Sequence, residues 1–166
     1  MILNEIIKNL EKISTEQINH LKQSIHKHKQ VIIIGNGGSN AIASHISQDY
    51  TKKLKLKAFT FSDPSRLTCY INDYGMEFAY RQFLKEFCDN ETLVILISSS
   101  GNSQNIVNCL KYCSENEIEY ILLTGFDSNN VCREQFKENA VLEYWVDSKD
   151  YGVVECAHQI FLHLVV

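Results

Sequence analysis

The chain has 166 residues, 45% hydrophobic and 22% charged, with only 7 glycines and 1 proline, a composition that excludes disordered, collagenous and low-complexity classes. Its 16 basic residues against 20 acidic ones leave a formal charge of -4, so no global basic field draws it to a nucleic-acid backbone. The length suits one domain, residues 1–166, divided into a helical segment over 1–28 and an α/β core over 31–166.

From Ile2 to His28 the apolar residues Ile6, Leu10 and Ile13, then Ile18, Leu21 and Ile25, recur at helical spacing, with Ser14 and Thr15 offering a break and a cap. This predicts two helices. Their apolar stripes exceed what one short sheet face can cover, so the segment is expected to pack between subunits. Val31 to Ile34 is a wholly apolar, β-branched run ending in Gly35, as in a strand buried on both faces. Similar runs recur at Ala58 to Phe61, Leu93 to Ile97, Tyr120 to Leu123 and Val141 to Val146, separated by segments of helical length. Such alternation predicts an α/β fold, a five-stranded parallel sheet with helices on both faces. Ligands of open parallel sheets sit beyond the carboxyl ends of the strands, which directs attention to the loops after Ile34, Phe61, Ile97 and Leu123.

The first of these loops, Gly35-Asn36-Gly37-Gly38-Ser39-Asn40, precedes a helix running to about Leu54. Its glycines let backbone approach a ligand, and the free N–H groups of the helix start favour an anion. The spacing is neither GxGxxG nor GxxxxGK[ST], which removes the dinucleotide and P-loop readings. A tight turn capped by Ser39 is the plain alternative. After the third strand, Ser98-Ser99-Ser100-Gly101-Asn102-Ser103 leads into a helix from Gln104 to about Glu115. Four hydroxyls, an amide and a glycine at a helix N-terminus make a neutral phosphate cradle, rich in donors and without a cation.

His45 and Asp49 lie four apart on one helix face, a spacing at which two side chains can grip one cation. In the last helix Glu155 and His158 are three apart, and His163 follows about 12 Å beyond Glu155 at 1.5 Å rise per residue. Either histidine could complete the group. His20, His26 and His28 have no motif or partner spacing and read as solvated or core residues. The six cysteines form no CxxC pair, four of them fall in helical runs, and they read as reduced, mostly buried thiols. No apolar run approaches the roughly 20 residues of a membrane span, and Met-Ile-Leu-Asn-Glu is no export signal, so a cytoplasmic protein without a membrane partner is expected.

These residues carry a resemblance spread over most of the chain. Gly35 to Ser39, His45, Asp49-Tyr50-Thr51, Asn72-Asp73-Tyr74-Gly75, Ser98 to Ser103, Leu123 to Asp127, Glu155, His158 and His163 occur in the order seen in the sugar isomerase (SIS) domain family. Within it the sequence resembles the sedoheptulose 7-phosphate isomerase branch. The resemblance implies the SIS fold and a phosphosugar ligand, with substrate contacts from Asn36, Gly37, Gly38, Ser39, Lys53, Asp73, Ser98, Ser99, Ser100, Asn102, Ser103 and Glu155. It implies a homotetramer built with the N-terminal helices, and a zinc site at His45, Asp49, Glu155 and His163, with His158 as the geometric alternative to His163. Asp49 and His163 are the expected acid/base pair for aldose–ketose isomerisation, sedoheptulose 7-phosphate to heptose 7-phosphate. The sequence departs from the family pattern at four places: Asp49 replaces Glu, Glu155 replaces Gln, Gly152 replaces Asp and Lys53 replaces Arg. These departures keep two alternatives open, a non-catalytic SIS module that binds phosphosugars or proteins and an isomerase for another sugar phosphate.

Overall fold

The computed structural model describes residues 1–166. Its five strands, β1 (Gln30–Gly35), β2 (Lys57–Thr60), β3 (Thr92–Ser98), β4 (Tyr120–Thr124) and β5 (Leu142–Trp145), form one sheet in the order β2-β1-β3-β4-β5. Every pairing is parallel, as in Ile32 with Val94 and Leu96 with Leu122. The strand order reverses between β1 and β3, the switch point beyond which such sheets hold their ligands.

The two-residue period of the strands divides their side chains between two cores. Val31, Ile33, Leu93, Ile95 and Ile97 face helices α2 (Thr15–Lys27), α3 (Gly38–Leu54) and α8 (Tyr151–His163). Ile32, Ile34, Val94 and Leu96 face α5 (Ala79–Phe87), α6 (Gln104–Glu115) and α7 (Val131–Phe136), with α4 (Pro64–Tyr74) packed outside α5. Because both faces are covered, β1 and β3 are apolar throughout, as their sequences require.

The N-terminal helices belong to this packing. Leu21 and Ile25 of α2 are fully buried in the first core, and Ile6 and Leu10 of α1 (Ile2–Leu10) pack against it. Ser14 caps α2 through a capping box, accepting from Gln17 N at 3.2 Å while its own N–H donates to Gln17 Oε1 at 3.0 Å. Asn9 ties α1 to the segment after β5 by accepting from Asp147 N at 3.0 Å. The outer face of α1 leaves Met1, Ile2, Leu3 and Ile7 exposed. No helix is long and apolar enough to cross a membrane. All six cysteines are free thiols, and burial raises the Cys88 and Cys132 pKa values to about 12.

Candidate active site

Helices α2, α4, α7 and α8 start on side-chain caps from Ser14, Asp63, Asn130 and Asp150. The starts of α3 and α6, at Gly37 and Ser103, have none, so backbone N–H groups there remain available to a ligand. These two helix starts meet at the carboxyl ends of β1 and β3. Asn36 of the first loop and Asn105 of α6 exchange side-chain hydrogen bonds at 2.9 and 2.8 Å, which fixes one loop against the other.

Between them lies a small cavity of about 90 Å³, bounded by Asn36, Ser39, the Ser98–Ser100 segment, Ser103, Tyr151 and Glu155. Ser98 Oγ donates to Ser103 Oγ at 3.4 Å, a long bond that a better acceptor would displace. Ser99 Oγ is buried without any partner, an orphan donor of the kind a bound anion satisfies. Gly101 holds the loop closed at φ +66°, and a Cβ there would collide with the Asn130 side chain. A larger cleft of about 530 Å³ shares Asn36 and Ser103 with this cavity and is lined further by Asn40, Ser62, Glu77 and Tyr80.

A second group forms where α3 and α8 approach again. His163 Nε2 lies 3.4 Å and His45 Nε2 3.8 Å from Asp49 Oδ2, and the two imidazole rings are 5.2 Å apart. The aspartate, though shorter than a glutamate, still reaches both rings. Lys53 Nζ is 3.4 Å from the same oxygen. Burial pushes the Asp49 pKa up, but the hydrogen bond and charge of Lys53, with the charges of His45 and His163, outweigh it and hold the carboxyl below its ordinary value. Two imidazoles and a carboxylate with ligand atoms all within 4.8 Å of one another could hold a metal ion.

The other expected residues are placed differently. Glu155 stays out of the His45–Asp49–His163 group. Its carboxylate sits in the serine cavity against Gly38, where burial raises its pKa, and a Cβ on Gly38 would collide with it. His158 is no alternative ligand: it is fully buried, its Nε2 lies 3.0 Å from the Thr124 carbonyl oxygen, and its ring packs near Tyr144. Burial lowers its pKa to about 4 despite the hydrogen bond to Thr124. Asn102 turns away from the cavity, its Oδ1 accepting from Val131 N at 3.0 Å. Asp73 is exposed on α4 beside Cys69 and Asn72, and Lys53 serves Asp49 instead of the cavity. Gly37 lines the larger cleft. Sequence reasoning missed Tyr151, Asn105 and Glu77 and named Asn40 only as the last residue of the glycine loop; Tyr151 and Glu77 lie in no recognisable motif, whereas Asn40 and Asn105 belong to or adjoin the two polar loops.

The model of the SIS domain family matches residues 1–125. The chain belongs to the SIS domain family. Among its relatives, a phosphoheptose isomerase of Fusobacterium nucleatum is 30% identical over 162 residues, covering 94% of this chain and 81% of that protein. The structure of phosphoheptose isomerase GmhA from Neisseria gonorrhoeae superposes with a TM-score of 0.85 at 25% identity, covering 96% of this chain and 89% of that one. A phosphoheptose isomerase from Francisella tularensis, at 20% identity and a TM-score of 0.86, shares the fold over 98% of this chain and 89% of its own. The SIS fold thus accounts for the whole sheet and for both helix starts at the serine cavity.

Proposed function

We propose that this SIS protein is a phosphoheptose isomerase that interconverts sedoheptulose 7-phosphate and the aldose heptose 7-phosphate. The observation that carries the reading is the meeting of Asp49 with His45 and His163 on the same two helices whose first turns border the serine cavity. Helices α3 and α8 run parallel, since Gly38 meets Glu155 near their starts and Asp49 meets His163 near their ends. Glu155 and His163 are separated by about 12 Å along the helix, the scale of an extended phosphorylated seven-carbon sugar.

In this reading the phosphate ester occupies the serine cavity, accepting from the Ser98, Ser99, Ser100, Ser103 and Ser39 hydroxyls and from N–H groups at the starts of α3 and α6. Asp49, held ionised by its cationic neighbours, removes a proton from C1 of the ketose and returns it to C2 through an enediol. In the metal-free site His163 moves the hydroxyl proton between the two oxygens through Nε2, since its Nδ1 donates to the Gln159 carbonyl at 2.9 Å; with a metal held at Nε2, polarisation of the sugar carbonyl would stand in for that transfer. Lys53 keeps the carboxylate charged, so its place in the reading is beside the base.

Zinc is the cofactor that fits. Ligand atoms about 2.0–2.2 Å from a tetrahedral zinc lie roughly 3.3–3.6 Å apart; the Asp49–His163 contact of 3.4 Å falls in that span, while the Asp49–His45 contact of 3.8 Å and the 4.8 Å limit on the whole group would have to close slightly around the ion. His45, Asp49 and His163 would hold it, leaving a position at which it would polarise the sugar carbonyl as a Lewis acid. The exposed apolar face of α1 is the contact surface of a homotetramer in this account. Six free thiols suit a reducing compartment, the cytoplasm.

One observation favours a phosphosugar-binding module without catalysis: the 530 Å³ cleft beside the serine cavity contains no member of the His45–Asp49–His163 group. Incubation with sedoheptulose 7-phosphate, with and without a chelator, separates the readings. An isomerase forms aldose, more slowly once chelated; a binding module takes up the sugar phosphate and returns it unchanged.

A further inference from the structure

His158 takes no part in the charged group, and the core around it gives no reason for an imidazole. It is fully buried on the stripe of α8 that carries Val154 and Phe161, beside Tyr144. Burial lowers its pKa to about 4, so the ring is neutral at pH 7 and has one N–H. Nε2 lies 3.0 Å from the Thr124 carbonyl oxygen, which can only accept, so the proton sits on Nε2. Nδ1 is then a bare acceptor, buried without a partner. An apolar side chain would fill the same place without that cost.

The group that His158 touches leads to the serine loop. The Thr124 carbonyl and the Gly125 N–H are two ends of one peptide unit at the end of β4. The carbonyl accepts from Val146 N at 2.9 Å and from His158, while the N–H donates to the Ser99 carbonyl at 3.0 Å, one step beyond the last β3–β4 pair, Ser98 with Thr124. Two donors on the carbonyl polarise the peptide and strengthen its N–H as a donor. Gly125 permits this contact, because a Cβ there would lie 2.7 Å from the Val154 side chain, one turn before His158, and 3.0 Å from the Ser99 carbonyl oxygen. Ser99 in turn lines the cavity.

We propose that His158 is a positioning residue for the anion-binding loop: its Nε2–H fixes the Thr124–Gly125 peptide, and that peptide holds Ser99 in place through its carbonyl. The inference rests on the isomerase reading only in taking a phosphate ester as what the loop binds.

The test compares the full chain with His158→Met, His158→Leu and His158→Gln, of which only glutamine keeps an N–H that can reach the carbonyl. Calorimetric titration with sedoheptulose 7-phosphate should show binding weakened about tenfold in the two apolar variants and within about threefold of the parent in His158→Gln. In kinetics the apolar variants should raise KM by a similar factor with kcat little changed. Hydrogen exchange of the Gly125 amide, followed by NMR without ligand, should quicken in the apolar variants and stay near the parent rate in His158→Gln. A folded apolar variant with parent affinity and parent Gly125 exchange would overturn the proposal, as would a glutamine variant as weak as the apolar ones. Failure of both apolar variants to fold would also overturn it, by making the histidine structural. Binding by the parent without aldose formation, with the apolar variants still weaker, would sink the isomerase reading and leave the positioning role standing.

Discussion

The serine cavity and the His45–Asp49–His163 group lie on the same pair of helices, yet they are built by opposite means. The cavity is made of neutral donors held by backbone: a loop closed by Gly101, two helix starts without side-chain caps, and hydroxyls that are mostly buried. The second group is made of charge: one carboxylate facing two imidazoles and an ammonium, with His45 and Lys53 largely exposed. Backbone sites bind anions without needing a protonation state, whereas charged side chains near solvent can exchange protons. That difference assigns binding to one region and proton transfer to the other, and variants can break the assignment.

The largest effect is expected at Asp49. Asp49→Asn should lower isomerisation by about 10²–10⁴-fold, the usual contribution of a positioned base, while sugar phosphate affinity measured by calorimetry stays within about threefold of the parent. A comparable loss of binding would mean that the two regions do not divide the work. The next effect concerns the face that α8 turns to the core. His158 has a folded pKa of about 4 against 6.5 when free, so the folded chain binds fewer protons than the unfolded chain between those values. Its contribution is therefore fully present above pH 6.5 and is lost as the pH falls toward 4, on the order of 3 kcal/mol. Urea denaturation at pH 7 and pH 4.5 should show this loss in the parent and a smaller one in His158→Gln.

Smaller again is the cavity itself. Ser98→Ala combined with Ser99→Ala should weaken sugar phosphate binding by about tenfold, roughly 1.4 kcal/mol for lost hydrogen bonds, and the defect should appear in KM more than in kcat. Smallest is Lys53→Met. An exposed i,i+4 pair changes stability by no more than about 0.5 kcal/mol, so thermal unfolding should barely move. The pH profile should respond instead: without the cation that lowers the Asp49 pKa, the acidic limb of activity shifts to higher pH.

The same contrast explains what the sequence could reveal. The three inner strands were legible because burial on both faces demands continuous apolar runs, the edge strands β2 and β5 were legible from shorter, partly polar runs in the same alternation, and the cavity was legible because Ser98 to Ser103 is contiguous. The charged group was only half legible. His45 and Asp49 share one helix face by spacing alone, but their partner comes from the far end of the chain, and Glu155, His158 and His163 offered competing spacings. The apolar stripe of α8 contained the missing discrimination: Val154, His158 and Phe161 recur at i, i+4 and i+7, which turns His158 inward and leaves His163 at the flank. No local pattern separated Glu155 from the charged group, because its place in the cavity depends on Gly38 in a different helix.

The division of labour is tested most directly by incubating the protein with sedoheptulose 7-phosphate in D₂O and following the sugar by NMR. The parent should form aldose and incorporate solvent deuterium as Asp49 exchanges its proton, and His163→Ala and Asp49→Asn should retain binding while losing both signals. Saturable binding by the parent, with neither aldose nor deuterium appearing over hours at stoichiometric protein, would contradict the account.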